Sequence, residues 1–371
     1  GTDGGAGFAG DRRRPKAAAD DREWVEARHP GTGAMIPARW PREEPLRERM
    51  LHLDRGSGDL RDGHIGDLAS ILTPGDVLVV NDAATLPGSL RGSTTGGLPI
   101  EARLVAALPD GGFRAVLFGA GDWRIPTERR EPPPLVRKAH LLRFAPDLAA
   151  RVESISPLSE RLVDLRFDCE GASLWSRLYA NGRPVQYSYA EAPLELWHVQ
   201  VGYASRPWAA EMPSAGRPLR WELLLALRRR GIAIASLTHA AGLSSTGDPD
   251  LDGALPLPER FEIPQAAAQA ITAAHGRVVA VGTSVVRALE GAALRGGGVL
   301  RAGSGETDLI LGPGYRPRVT DGLLTGVHEK SASHYALLHA FASADVLDRA
   351  SAHAEAAGYL SHEFGDSWLI L

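Results

Sequence analysis

Apolar and polar positions change period several times along the chain. Residues 77–80, "VLVV", follow a Pro-Gly turn at Pro74 and Gly75 and run into the polar pair Asn81 and Asp82, the pattern of a buried strand. The stretch "LRWELLLALRRRGIAIASLTH" keeps helical spacing up to Gly231 and then turns into a second apolar run, Ile232 to Leu237, with Thr238 and His239 at its carboxyl end. A further helix is predicted over about Pro264 to His275. "VVAVGTSVVRALE", Val278 to Glu290, reads as a buried strand, a tight turn at Gly282 and a helix capped by Thr283 or Ser284. Between about Leu90 and Tyr187 the texture differs: short alternating runs such as "PIEARLVAAL", "GFRAVLFGA" and "RLVDLRFDC" are separated by Gly- and Pro-rich breaks. That spacing predicts a small antiparallel β domain.

The fold class that follows is an α/β (α+β) main domain, residues 23–89 and 188–371, with an antiparallel β-barrel domain inserted at 90–187. Residues 1–22, rich in Gly, Ala and charge, have almost nothing to bury and are expected to be a disordered extension. Their formal G-x-G-x-x-G, at Gly5, Gly7 and Gly10, follows no strand and opens no helix, so it does not argue for a dinucleotide site.

Composition narrows the picture only a little. The 371 residues are 44% hydrophobic and 23% charged, with a net charge of −4, the profile of a globular protein that is not coated in basic surface. No apolar stretch approaches the ~20 residues of a membrane span, and no signal-type segment opens the sequence, so no membrane association and a cytoplasmic location are expected. The single cysteine, Cys169, excludes an internal disulfide, and with no tight histidine cluster no metal site is expected.

Polar residues gather where the predicted strands end, which is where open α/β sheets place their sites. The first turn after Gly282 offers unpaired N–H groups to an anion, or it only caps its own helix. Arg287 and Glu290, three apart, either pair or reach the site. Arg228, Arg229 and Arg230 close a helix where cations complement its dipole, or they meet RNA phosphates.

Several stretches together resemble one family, the S-adenosylmethionine:tRNA ribosyltransferase-isomerases of queuosine biosynthesis. They are "PGDVLVVND", "PSAGRPLRWELLLALRRRGI", "LTHAAG", "VVAVGTSVVRALE", "ILGPGYRPRVTDGLLTGVH" and the terminal "FGDSWLI", in the family's order from about Pro37 onward. The resemblance implies an α/β domain with an inserted antiparallel barrel. It also implies transfer and isomerisation of the ribosyl portion of S-adenosylmethionine onto 7-aminomethyl-7-deazaguanine in a tRNA, with release of adenine and methionine and without a metal. Departures fall at polar positions: Ala84 and Ser89 replace two arginines of the family's "NDTRVIPARLFG", Pro218 replaces a histidine, and the Gly-Thr-Phe element after His239 is lost. Thr325 and His328 are retained. That pattern leaves three readings open: the family's reaction on tRNA, a diverged S-adenosylmethionine enzyme with a small-molecule acceptor, or a non-catalytic binding protein.

The implied chemistry selects residues. Removing a proton beside a sulfonium and expelling adenine both need proton-transfer groups, a task that suits histidine. The catalytic candidates are His239 and His328 as the proton-transfer groups, with the carboxylates Asp82 and Glu259. A sulfonium is a fixed cation that carboxylates or aromatic faces would hold; Asp82, Asp321 and Glu259 are the candidates, with Trp197, Trp208 and Tyr315 as aromatic alternatives. Gly282, Thr283 and Ser284 with Arg287 are expected to meet the methionyl carboxylate, and Thr325 completes the binding set.

Overall fold

The computed structural model describes residues 35–330 and 332–371; the predicted extension 1–22 and its glycine motif lie outside the described residues. A nine-stranded sheet runs in the order Gly303–Thr307, Glu259–Ile263, Ala233–His239, Val77–Asn81, Val278–Val281, Gly322–Gly326, Ser367–Ile370, Arg49–Leu53 and Leu60–His64. Its four middle strands, from Ala233–His239 to Gly322–Gly326, are mutually parallel, and antiparallel pairs begin on either side of them.

The apolar runs of the middle strands are continuous because both faces are covered. Val77, Val79, Ala235, Leu237, Val278 and Ala280 face one core, shared with Ala267 and Ile271 of helix Gln265–Thr272 and with Val285 and Leu289 of helix Thr283–Arg295. Leu78, Val80, Val279 and Val281 face the other, shared with Leu223, Leu224 and Leu227 of helix Trp221–Arg229. The strand predicted to end at Leu237 runs two residues further, because Thr238 and His239 pair with Glu262 and Phe261 of the antiparallel neighbour. That partner lies too far along the sequence for a local pattern to reveal it.

Strands Ser89–Thr94, Pro99–Ala107, Phe113–Phe118, Leu141–Ala145, Leu148–Ile155 and Leu162–Phe167 close into an antiparallel barrel. Its interior is filled by inward residues such as Leu90, Ala102, Leu104, Leu117, Leu142, Val152 and Leu165. The incoming and outgoing chain meet at a neck: Ser89 N–H donates to the Arg183 carbonyl at 2.8 Å, and Arg183 N–H donates to Ser89 at 3.0 Å. The outer barrel surface, through Val105, Val116 and Phe118, packs on Ala210, Leu243 and Leu251 of the main body. Among the described residues no helix is long and apolar enough to cross a membrane.

Glu290 fixes helix Thr283–Arg295 against the chain that leads into strand Gly322–Gly326. Fully buried, it accepts the backbone N–H groups of Arg318, Val319 and Thr320 at 2.8, 3.0 and 3.0 Å, together with the Thr320 hydroxyl at 2.8 Å. Removing it would leave these donors without their acceptor, two of them on buried Thr320, and removing one side of a buried charge network typically costs about 3–5 kcal/mol. Glu290→Ala is expected to lose stability on that scale in urea unfolding. Glu290→Gln, which keeps the shape and an acceptor oxygen, should lose markedly less.

Candidate active site

The carboxyl ends of the four parallel strands converge on one locus. Strand Val77–Asn81 delivers Asn81 and then Asp82; Ala233–His239 delivers Thr238 and His239; Val278–Val281 delivers Gly282 to Ser284; Gly322–Gly326 delivers Thr325 and, just beyond it, His328. Asn81 joins three of these ends. Its carboxamide oxygen accepts His239 N–H at 2.9 Å and Ala83 N–H at 3.0 Å, while its nitrogen donates to the His239 carbonyl at 3.0 Å and to Ser284 Oγ at 3.3 Å.

The His239 side chain is fully buried, and neither ring nitrogen has a hydrogen-bond partner. Nε2 stands 3.4 Å from Glu259 Oε2, close but without hydrogen-bond geometry, because that oxygen receives the Arg287 guanidinium. Burial and the Arg287 charge push the imidazole down to about 3. Glu259 also accepts Gly242 N–H at 2.7 Å, and burial raises its carboxyl. Arg287 spends its remaining donors on the carbonyls of Leu309, at 3.0 Å, and Thr307, at 3.4 Å. Arg287 and Glu290 therefore do not pair: although three residues apart on one helix, each is held by a segment distant in sequence.

Gly282, with φ of +90° and ψ of 153°, is the N-cap of helix Thr283–Arg295; Thr283 is its first helical residue and no side chain caps it. The strand meets the helix through a left-handed conformation that glycine alone adopts without strain. A Cβ there would meet only ordinary contacts, at 3.6 Å from Ala215 Cβ and Ser284 Oγ, so conformation and not crowding demands glycine. The N–H groups of Thr283, Ser284 and Val285 have no intrahelical acceptor.

His328 Nε2 is hydrogen-bonded to Thr325 Oγ1 at 2.8 Å, and its ring stacks on His334 with centroids 5.3 Å apart. Burial, with His334 and His362 nearby, brings it to about 3. Asp82 accepts the Thr238 hydroxyl at 2.6 Å, and that hydroxyl in turn accepts from Arg206 at 2.7 Å.

Two expected residues lie elsewhere. Asp321 caps the amino end of the strand, accepting Val278 N–H at 2.8 Å, the opposite end from Gly282. Tyr315 donates to Glu290 at 3.2 Å, on the far part of the helix. Of the aromatic alternatives, Trp197 is 72% exposed, and both Arg206 and Arg260 lie over the ring of Trp208, at 4.3 and 3.5 Å from its centroid. Pro218 is buried behind the turn Ser214–Gly216.

The two positions where arginines are replaced adjoin other arginines through the backbone. Ser89 is paired in register with Arg103, and Ala84 N–H donates to the Arg206 carbonyl at 2.7 Å. Both are committed to carboxylates: Arg103 to Glu101 at 2.9 Å and Arg206 to Glu262 at 2.8 Å. A cavity of about 390 Å³ beside the barrel, lined by Arg91, Trp123, Arg124 and Arg183, contains none of the expected residues.

Sequence reasoning passed over Glu211, Glu363, Tyr187 and Tyr189, which also border the site. Their only local signal is an isolated acid among small or apolar neighbours, in "AAEMPSAG" and "HEFGDS".

A family model described as "Queuosine biosynthesis protein" matches residues 34–370. The S-adenosylmethionine:tRNA ribosyltransferase-isomerase of Moorella thermoacetica is 34% identical over 343 residues, covering 90% of this chain and 96% of that protein. The enzyme of the same name from Synechococcus sp. (strain CC9605) is 31% identical over 360 residues, covering 93% and 90%. A crystal structure of S-adenosylmethionine tRNA ribosyltransferase from Thermotoga maritima aligns with a TM-score of 0.49 at 22% identity, over 91% of this chain and 96% of that one. With the family model spanning nearly all the described residues and relatives above 30% identity over nine-tenths of their length, the chain belongs to the queuosine biosynthesis protein family.

Proposed function

We propose that the chain is an S-adenosylmethionine-dependent transferase-isomerase that carries out the reaction its relatives are named for. It moves the ribosyl portion of S-adenosylmethionine onto a 7-aminomethyl-7-deazaguanine base of tRNA and releases adenine and methionine. The observation that carries this reading is the unpartnered, fully buried imidazole of His239 beside Glu259 and Arg287, where four parallel strands end. A buried ring with both nitrogens unsatisfied is costly and points to a group that moves a proton. The relatives named above carry the tRNA reaction in their names, and no observation favours a small-molecule acceptor.

Each group has a task in this reading. His239, neutral at working pH, takes the proton beside the sulfonium, and the Glu259 carboxylate at 3.4 Å steadies the imidazolium that forms. Arg287 holds Glu259 in place. The free N–H groups of Thr283 and Ser284 receive the methionyl carboxylate. His328, oriented by Thr325, faces the leaving base, and Asp82 sets the rim through Thr238. A cytoplasmic location belongs to the same proposal, since tRNA is the acceptor.

Incubation with S-adenosylmethionine and a tRNA carrying the aminomethyl base, followed by mass spectrometry, is expected to yield adenine, methionine and a modified tRNA. Adenine release without any change in the RNA would redirect the reading to another acceptor. His239→Gln should retain S-adenosylmethionine binding in calorimetry while turnover falls about 10²–10⁴-fold, the usual contribution of a proton-transfer group.

The neutral His239 also shapes acid stability. An unfolded imidazole takes its proton near 6.5, whereas the folded His239 and His328 resist until about 3. Between those values the unfolded chain binds more protons, so folding stability is lost as pH falls through that window and is fully present above 6.5. Urea unfolding between pH 4 and 6.5 is expected to show this slope. His239→Gln should flatten it by about one proton.

A further inference from the structure

Two carboxyl groups border the site without joining the His239, Glu259 and Arg287 cluster. Glu211 Oε1 accepts the Tyr187 hydroxyl, Ser244 N–H at 2.8 Å and the Ser244 hydroxyl at 3.2 Å. Glu363 has the Tyr189 hydroxyl within hydrogen-bonding reach, but its Oε1 is buried without a partner. The two tyrosine rings stack 6.1 Å apart, Tyr189 stacks in turn on His362 at 4.4 Å, and Glu363 lies close enough to Glu211 to feel its charge.

Their charge is not compensated locally. Neither forms an ion pair among the described residues, and the cations that face them have nearer partners: Arg103 binds Glu101 at 2.9 Å and Arg217 binds Glu48 at 2.7 Å. Glu211 also feels Glu259, which is occupied by Arg287. Burial, with the neighbouring Glu211 charge, pushes Glu363 up to about 8, and burial raises Glu211. In the free protein the pair therefore keeps a proton at neutral pH. Two fully buried side chains also carry unpartnered nitrogens: His239, at both ring positions, and Arg103, 1% exposed, at Nη1.

Vacant carboxyl lone pairs call for N–H donors, and an uncompensated pair calls for positive charge. A sulfonium supplies the charge but no donor; a primary ammonium supplies both. We propose that Glu211 and Glu363 form a subsite for a primary ammonium group of a substrate. The proposal rests on the function given above in that both substrates of that reaction carry such a group: the methionyl amine of S-adenosylmethionine and the aminomethyl substituent of the acceptor base.

Calorimetry on the full chain tests it with two ligand pairs. The first is S-adenosylmethionine against its deaminated analogue, in which hydrogen replaces the amino group while the sulfonium and the carboxylate remain. The second is an anticodon stem-loop carrying 7-aminomethyl-7-deazaguanine against the same loop carrying guanine. Glu211→Gln and Glu363→Gln are expected to lower affinity for an amine-bearing member at least tenfold while its amine-free counterpart binds as before. The pair that responds identifies which amine the subsite holds. Independently of any variant, titrations of the unmodified protein in buffers of different ionisation enthalpy should show about one proton released at pH 7 with the responding amine-bearing ligand and none with its counterpart. Undiminished affinity for both amine-bearing ligands in folded variants, or equal losses for amine-bearing and amine-free members, would overturn the subsite. Failure of the unmodified protein to bind S-adenosylmethionine and either loop would instead defeat the functional reading, and the subsite with it.

Discussion

The carboxamide of Asn81 is the joint on which the arrangement at the sheet's carboxyl edge depends. It is 1% exposed, and its two donors and its oxygen are engaged by the backbone of His239, the backbone of Ala83 and the hydroxyl of Ser284. Two strand ends and a helix start are thereby locked in one register. Because the backbone of His239 is satisfied on both sides, its ring is not needed to hold the strand end. That leaves the imidazole as a buried group whose chemistry is uncommitted, an arrangement folding alone would not favour.

Around that joint the electrostatics are strongly partitioned. Four arginines near the site pair with carboxylates: Arg287 with Glu259, Arg206 with Glu262, Arg103 with Glu101, Arg217 with Glu48. Glu211 and Glu363 are left over, and the two histidines are held neutral by burial. The free protein therefore presents a locus that is rich in acceptors and poor in uncommitted cations, complementary to a ligand that brings its own positive charge.

Much of the framework was legible because it is local. The runs at Val77, Ile232 and Val278 announce buried strands, and Gly231 and Gly282 mark the turns, since each needs a positive φ. Helix ends were less secure: the stretch predicted to His275 is helical only over Gln265–Thr272. Side-chain partnership was the part that local spacing could not give. Arg287 and Glu290 look like a pair at three residues' distance, yet Glu259 reaches Arg287 from a strand 28 positions earlier. Asp321 and Tyr315 carry suitable chemistry but serve the wrong end of the strand and of the helix. Glu211 and Glu363 influence each other from segments far apart in sequence, which no local pattern reveals.

The neck at Ser89 and Arg183 bears on how such a chain folds and varies. The two crossing points of the barrel segment are held one β-bridge apart, so the two halves of the main sheet's sequence meet across a gap no wider than a hairpin's ends. To the sheet, the whole barrel is a loop with its ends already closed, and doubling such a loop costs only about 0.6 kcal/mol. Changes of length in the barrel's hairpin loops therefore leave the pairing of strand Val77–Asn81 with its neighbours almost untouched.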